Sequence, residues 1–396
     1  MMLIGDQMKI KNQDFLKKEN RSLVLEIILN QGPISRAEIA KQTSMSPTSA
    51  SRIVASLQEN KLIREMNMSS EGIGRKATYF IPNEHSVFSI GVEIDQKVIR
   101  IGLMNFIGKL TILKYFDYQS IDPVATVQFI ADHILQMIDD ENLTSDQIAG
   151  VCIGLPGLIE NDKGEVKLSA QFDWKNIPLQ EMVEEKVGFT VFVDNELKLK
   201  ALAEYISDPE PKKAYMAMIG FGSGVGSALI KKGEIYRGEG NFSGEIGHTI
   251  VDPYGIYCPC GNFGCLQTYI AEKFLLDEAS KTKEIENIQA LIIEYENGEK
   301  WARNIVDKAI TYAAITINNV VCVYNPDSVV LAGSLIERFP QIKDQIIEKC
   351  ENQMWAPVMK TFQLRTTKTG EDGVVIGAAM IVLQHFIKNI HEKSGV

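Results

Sequence analysis

The sequence has little tryptophan, histidine or cysteine, with three, five and six of them in 396 residues. Six cysteines in so long a chain, three of them crowded into Cys258–Cys265, do not make the framework of a disulfide-stapled secreted domain. Long apolar runs are missing as well. The longest candidate, Val374–Leu383, is interrupted by Gly377 and falls short of the ~20 residues of a membrane helix. The opening stretch Met1–Gln13 lacks the apolar core of a secretory signal. These absences lead us to expect a cytoplasmic protein with no membrane partner. An excess of positive charge is also absent. The 41 basic side chains face 51 acidic ones for a net charge of −10, which argues against nucleic acid for the chain taken whole.

That balance hides an asymmetry. Residues 1–82 carry 12 Lys and Arg against 8 Asp and Glu, a net of +4, and the remainder nets −14. A basic head on an acidic body suggests two separate jobs. The length suits roughly two to three domains of ~100–200 residues each, and 45% hydrophobic content is enough for substantial cores.

The head reads as a winged helix-turn-helix. Asn20–Asn30 has the helical period, with Leu23, Ile27 and Ile28 on one face, and Gly32-Pro33 stops it. Ser35 and Glu38 make a capping box for a second helix that runs to about Thr43. Ser46 caps a third helix with Pro47 at its first position. Ala50, Ile53, Val54 and Leu57 form its inner face, leaving Thr48, Ser49, Ser51 and Arg52 outside. No acid lies between Glu38 and Glu59, as repulsion from phosphates requires of a helix in the major groove. Leu62-Ile63, a polar loop with Gly72 and Gly74, the cations Arg75 and Lys76, and the strand-like Thr78–Ile81 then make a wing suited to backbone or minor-groove contacts. A dimerisation hairpin would account for the helices alone but not for the basic wing.

After Pro82 the pattern turns to strands. Phe88–Glu93, Val98–Met104 and Thr111–Tyr118 lead to a helix near Val124–Asp139 and the strand Ile148–Ile153. The second half opens alike, with Ala214–Gly220, a glycine-rich turn and Gly226–Lys231, followed by long helices, Ser328–Leu331 and a closing helix from about Val375. Two similar halves imply a duplicated α/β body with a ligand-taking cleft between lobes.

Three motifs in the body carry chemistry. His248, Cys258, Cys260 and Cys265 lie within 18 residues, among Pro, Gly and Asn that let the chain wrap an ion. Three thiolates and one imidazole suit a closed tetrahedral site, hence a structural Zn2+. Gly222, Gly224 and Gly226 sit in a GFGSGVG run where backbone N–H groups can meet a phosphate, although a tight hairpin asks for glycine too. In Asp194–Glu204 two carboxylates and an amide stand at the mouth of a helix, where a carboxylate serves as base toward a sugar hydroxyl or simply suits the helix dipole.

Taken together these residues resemble the ROK family of repressors and sugar kinases over nearly the whole chain. Gly244–His248 with Cys258–Cys265 is similar to the family's zinc signature, and the opening QDFLKKENRSLVLEIILNQGPISRAEIA resembles its xylose repressors. The resemblance implies a two-lobed, actin-like (ribonuclease H-like) sugar-kinase body in a homodimer or homotetramer. It implies sugar contacts at Asn195, Glu196, Glu245, His248 and Gln267, zinc ligands at His248, Cys258, Cys260 and Cys265, and a phosphate loop at Gly222, Gly224 and Gly226. Four positions depart from the family's kinases. Glu196 replaces the catalytic Asp, and Lys198 replaces an Asn. Glu93–Lys97 lacks the glycine and hydroxyl of the first phosphate motif, and Gln267 replaces a Glu. An extra methylene shifts a carboxylate by ~1 Å, a misplacement that can cost ~100-fold in rate.

The expectation is therefore a winged helix-turn-helix over residues 1–84 and a body over 85–396, with lobes of about 85–205 and 206–374 and a closing helix over 375–396. The expected function is a sugar-responsive repressor of a carbohydrate operon, binding double-stranded operator DNA through Ser46, Thr48, Ser49, Ser51, Arg52, Arg75 and Lys76. Its effector is a small sugar of xylose type held in a degenerate kinase cleft, with Glu196 a vestige and not a catalyst. The alternative is an ATP-dependent sugar kinase, possibly bifunctional.

Overall fold

The computed structural model describes residues 13–66, 78–208 and 214–390. Arg75 and Lys76, with Gly72 and Gly74, lie outside the described residues.

The head contains the helices Gln13–Gln31, Arg36–Thr43 and Pro47–Glu59. A three-stranded antiparallel sheet places Tyr79–Pro82 between Ile34–Ser35 and Ile63–Met66. The first helix starts seven residues before the expected Asn20. Residues 13–19 have helix-favouring Leu, Lys and Glu but no apolar stripe, so propensity and not pattern extends it. Both caps form as read. Ser35 Oγ accepts from Glu38 N–H at 3.3 Å while Glu38 Oε2 accepts from Ser35 N–H at 2.8 Å. Ser46 Oγ accepts from Ser49 N–H at 3.1 Å, with Pro47 at the first helical position. Val24, Leu25, Ile28, Ile39, Ala50, Val54, Leu57 and Phe80 are fully buried. Ile53 is only half-buried, at the margin of this core.

Each lobe of the body is built on a five-stranded sheet. In the first, Phe88–Ile94, Val98–Asn105 and Leu110–Asp117 form an antiparallel meander; Ile148–Leu155 lies parallel to the opening strand, and Val191–Asn195 follows beyond it. In the second, Tyr215–Phe221, Val225–Lys231 and Glu234–Ile235 make the meander, with Ser328–Ala332 and Gln363–Thr366 as the parallel strands. Strand order and direction are the same in both, so the duplication inferred from the hairpin openings holds at the level of topology. The two parallel edge strands Val191–Asn195 and Gln363–Thr366 were not anticipated. Nor was the small antiparallel sheet of Leu158–Glu160, Glu165–Ser169 and Trp174–Ile177.

The closing helix, Gly373–Lys388, joins the parts. It lies across the first lobe's opening strand and against the helix Glu196–Ser207, at both places through glycine. A Cβ on Gly91 would come within 2.1 Å of the Val375 carbonyl oxygen, and one on Gly377 within 1.9 Å of that of Leu199. Near its far end, Leu383 and Phe386 enter the same apolar cluster as the head residues Leu25 and Ile28, joined by Ile390 just beyond it. Together with the 3-10 turn before it, Gly370–Lys388 is a stretch that among the described residues is long and apolar enough to cross a membrane. Its burial between sheet, helix and head accounts for that composition.

Candidate functional site

Ligands in such sheets settle at the carboxyl ends of parallel strands, and the cleft lies there. About 410 Å³ in volume, it is lined from both lobes. Asn195 ends one parallel strand and caps the helix Glu196–Ser207; its Oδ1 accepts from the N–H groups of Leu197 and Lys198 at 3.0 and 3.3 Å. Its Nδ2 donates to the Gly157 carbonyl at 3.1 Å. The side chain expected to read sugar is thus also the pin that fixes the cleft wall. Glu196 follows on the same wall. Burial, with Glu93 and Asp95 nearby, pushes its carboxyl up to about 8. Burial likewise pushes Glu93 up to about 7, even though Arg100 lies 2.8 Å away and draws it downward.

The glycine-rich turn links the hairpin strands Tyr215–Phe221 and Val225–Lys231, and Gly222, Gly224 and Gly226 all face the cleft. A Cβ at Gly222 would meet Ser334 Oγ at 2.6 Å, so that hydroxyl would have to turn aside for any larger residue. Acidic side chains already hold the polar groups around this turn. Ser334 Oγ donates to Glu272, and the Gly333 N–H donates to Glu337 Oε1 at 2.9 Å. The same Glu337 oxygen pairs with Lys200 at 2.7 Å. Gln171 of the first lobe reaches across to donate to Ser223 Oγ at 3.1 Å.

The loop leading to Glu245 and His248 is tied to the first lobe by side chains that the sequence did not single out for this work. Lys198 is buried and donates to the Asn241 carbonyl. Asn241 Nδ2 donates to the Ile159 carbonyl at 3.0 Å, and Arg237 pairs with the buried Asp194 at 2.6 Å. The lysine that marked a departure from the kinase pattern is therefore a brace for the loop. Burial raises the pKa of Glu245, which the Lys198 charge partly opposes.

His248, Cys258, Cys260 and Cys265 converge, with their ligand atoms all within 4.8 Å of one another. Cys260 Sγ and Cys265 Sγ are 3.6 Å apart, and Cys258 Sγ lies 3.8 Å from His248 Nδ1. Edges of about 3.8 Å are those of a tetrahedron of sulfurs ~2.3 Å from a central ion. The donors and their spacing thus fit a metal ion. Gln267, expected at the sugar, lines the cleft but also donates through Nε2 to Cys258 Sγ at 3.1 Å.

On the head, Thr48, Ser49 and Arg52 are exposed and Ser51 is half-buried. They share the outward face of Pro47–Glu59. Ser46 is exposed too, but its hydroxyl is engaged by Ser49 N–H and lies 2.9 Å from Ser49 Oγ.

Comparison with known proteins agrees with this architecture. The ROK family pattern spans residues 89–385, and a winged helix-turn-helix DNA-binding pattern spans residues 18–64. The chain belongs to the ROK family and carries an N-terminal winged helix-turn-helix. It is 26% identical to the xylose repressor of Bacillus subtilis, covering 97% of this chain and all of that one. It is also 26% identical to the DNA-binding transcriptional dual regulator NagC of Escherichia coli, covering 98% of this chain and all of that one. Among solved structures it superposes on a ROK family transcriptional regulator described as a homologue of the E. coli MLC protein. That match has a TM-score of 0.80 at 23% identity and covers 94% of this chain and 97% of that one. The ROK hexokinase of Thermus thermophilus matches the body, with a TM-score of 0.65 at 21% identity over 74% of this chain and 97% of that one.

Proposed function

We propose that this protein is a sugar-responsive transcriptional repressor of a carbohydrate-utilisation operon, with a xylose-type sugar as effector. One observation carries the reading: a single helix, Gly373–Lys388, begins at the cleft, where Val374 is part of the wall, and ends in the core of the DNA-binding head. Sixteen residues at ~1.5 Å each make a rod of roughly 24 Å between the two sites. A sugar that draws the lobes together changes the seat of this helix, and with it the head. Coupling requires that the sugar-bound state bind operator more weakly and that operator weaken sugar in return.

Thr48, Ser49, Ser51 and Arg52 enter the major groove, with Ser46 at the mouth of the helix and Arg75 and Lys76 on the wing. A homodimer, or a homotetramer built from it, places two such helices in successive grooves of a palindromic operator. Glu245, His248, Asn195, Glu196 and Gln267 hold the sugar. Zn2+ bound by His248, Cys258, Cys260 and Cys265 braces the loop that presents Glu245, and its closed donor set leaves no position for activating water. The protein works in the cytoplasm, where its operator is.

On this reading the protein does not phosphorylate its sugar. Glu196 stands where the resemblance places the kinases' catalytic Asp, and its extra methylene shifts the carboxylate by ~1 Å, a misplacement that can cost ~100-fold in rate. Gly333 N–H and Ser334, beside the glycine turn, already serve Glu337 and Glu272. The decisive measurement is fluorescence anisotropy of labelled DNA from upstream of the protein's own gene cluster, titrated with protein and then xylose. Specific binding relieved by millimolar xylose is the expected result. Binding indifferent to xylose keeps the repressor and moves the effector to another sugar. The absence of specific binding, with sugar-dependent ADP release lost in Glu196→Gln, returns the kinase.

A further inference from the structure

Glu93, Arg100 and Tyr115 form one row across the first lobe's meander. Glu93 lies directly opposite Arg100, and Arg100 directly opposite Tyr115, in the antiparallel register. Directly opposed residues share a face of the sheet, so the three side chains stand within reach of one another. Glu93 and Arg100 line the cleft, and Tyr115 does not.

The row holds the start of the closing helix. Arg100 forks: Nη1 donates to Glu93 Oε2 at 2.8 Å and Nη2 to Glu371 Oε2 at 3.1 Å. Beside it the Tyr115 hydroxyl donates to Asp372 Oδ1 at 2.8 Å. Glu371 and Asp372 end the 3-10 turn that runs directly into Gly373–Lys388.

The two bonds of Arg100 differ in kind. The side chains of Arg100 and Glu93 are 11% and 8% exposed, whereas that of Glu371 is 78% exposed. Separating a buried pair strands a charge without compensation, while a pair with one member in water contributes little and breaks readily. The inner bond is therefore the fixed one and the outer bond the releasable one. A planar guanidinium serves both carboxylates at once, which the point charge of an ammonium does not. Among the described residues Nε has no partner, so these two bonds are the whole of the side chain's hydrogen bonding.

We propose that Arg100 is the positioning residue that carries the state of the cleft to the closing helix, keeping Glu93 with one end of its guanidinium and holding or releasing Glu371 with the other. The proposal rests on the reading of the cleft as an effector site. It adds the contact through which that site acts on the helix: the stretch that has lost its phosphate motif supplies, at Glu93, the inner anchor of a link toward the head. Tyr115 and Asp372 anchor the same turn without reaching the cleft.

The test uses the full-length wild-type protein, Arg100→Lys, Glu371→Gln, Asp372→Asn and the double variant of the first two. Operator affinity is measured by anisotropy without sugar and at saturating xylose, and the ratio of the two is the readout. If xylose leaves the wild type unchanged, the neutral pentose or hexose with the largest effect takes its place. Calorimetry on each protein sets the saturating concentration. We expect the ratio to fall roughly 2–30-fold toward one in Arg100→Lys and in Glu371→Gln. The double variant should lose no more than either single one, because the same link is cut each time. Asp372→Asn should keep the wild-type ratio, although it removes the same charge from the same helix start. Glu371 is exposed, so its variant decides the question should Arg100→Lys fail to fold. An unchanged ratio in Glu371→Gln, an equal fall in Asp372→Asn, or losses that multiply in the double variant overturn the role of Arg100. A wild-type operator affinity that no pentose or hexose alters overturns the effector reading and this proposal with it, and that result is visible before any variant is compared.

Discussion

Ser22, on the first helix of the DNA-binding head, donates its hydroxyl to the carbonyl of Ile387 at 2.7 Å, one residue before the closing helix ends. The two residues are 365 positions apart, and their bond fastens the head to the element that leaves the cleft. Beside it Phe386 meets Phe106 of the first lobe edge-on, with centroids 6.1 Å apart. Ser22→Ala removes one hydrogen bond worth about 0.5–1.5 kcal/mol. Limited proteolysis should then cut faster between Asn83 and Val87, with the melting temperature of the body unchanged.

Gly377 admits no side chain without moving the backbone of Leu199. Gly377→Ala should cost on the order of 1–3 kcal/mol of stability, as overpacked cores do. It should also blunt the effect of sugar on operator affinity, because the helix that joins the two sites loses its seat. Calorimetric unfolding gives the first quantity, and anisotropy with and without sugar gives the second.

The cleft carboxyls set a dependence on pH. Glu196 and Glu93 have folded pKa values of about 8 and about 7, raised from 4.5. The folded state therefore holds protons that the unfolded chain releases. Their stabilising effect is complete below about pH 4.5 and is lost as pH rises through 7 to 8. The melting temperature should fall across this window, and Glu196→Gln should flatten the fall. A wild-type curve that rises from pH 5 to 8 would contradict the assignment.

Removing the proposed Zn2+ tests whether it braces the loop. Cys260→Ser, or dialysis against a chelator, should abolish the sugar response while leaving operator binding in place, since the head lies outside that loop. An unchanged response in metal-free protein would take the ion out of effector sensing.

Arg52 stands exposed on the third helix of the head. Arg52→Ala should weaken operator binding by about 1–3 kcal/mol if it reads a base. If it meets phosphate, the salt slope should instead fall by roughly one. Anisotropy at several salt concentrations separates the two.

Much of this was legible in the amino-acid sequence because local rules and tertiary structure agree. Ser35 with Glu38, and Ser46 with Pro47, place helix starts to the residue, and the hairpin that opens each lobe shows as a pair of strand-like runs; the short third strand of the second meander, Glu234–Ile235, does not. The cluster of His248 with Cys258, Cys260 and Cys265 shows because its members are neighbours in the chain. What escaped was set by distance. Val191–Asn195 and Gln363–Thr366 are parallel strands whose partners lie 40 and 35 residues earlier. The loop brace joins Lys198 to Asn241, and the carboxylates beside the glycine turn come from Glu272 and Glu337. No spacing rule announces such pairs. Gln267 was read as a sugar contact, and only the fold brings Cys258 to its other side.

The apolar cluster shared by Leu25, Ile28, Leu383, Phe386 and Ile390 bears on how such proteins diversify. A head whose interior is completed by the body is not a freely exchangeable reader. Replacing it with one that reads another operator would require a first helix with the same face toward the closing helix. Otherwise the graft would leave oily surface open on both parts. Thr48, Ser49 and Arg52, by contrast, are exposed and outside that shared cluster, so they can be exchanged without disturbing it.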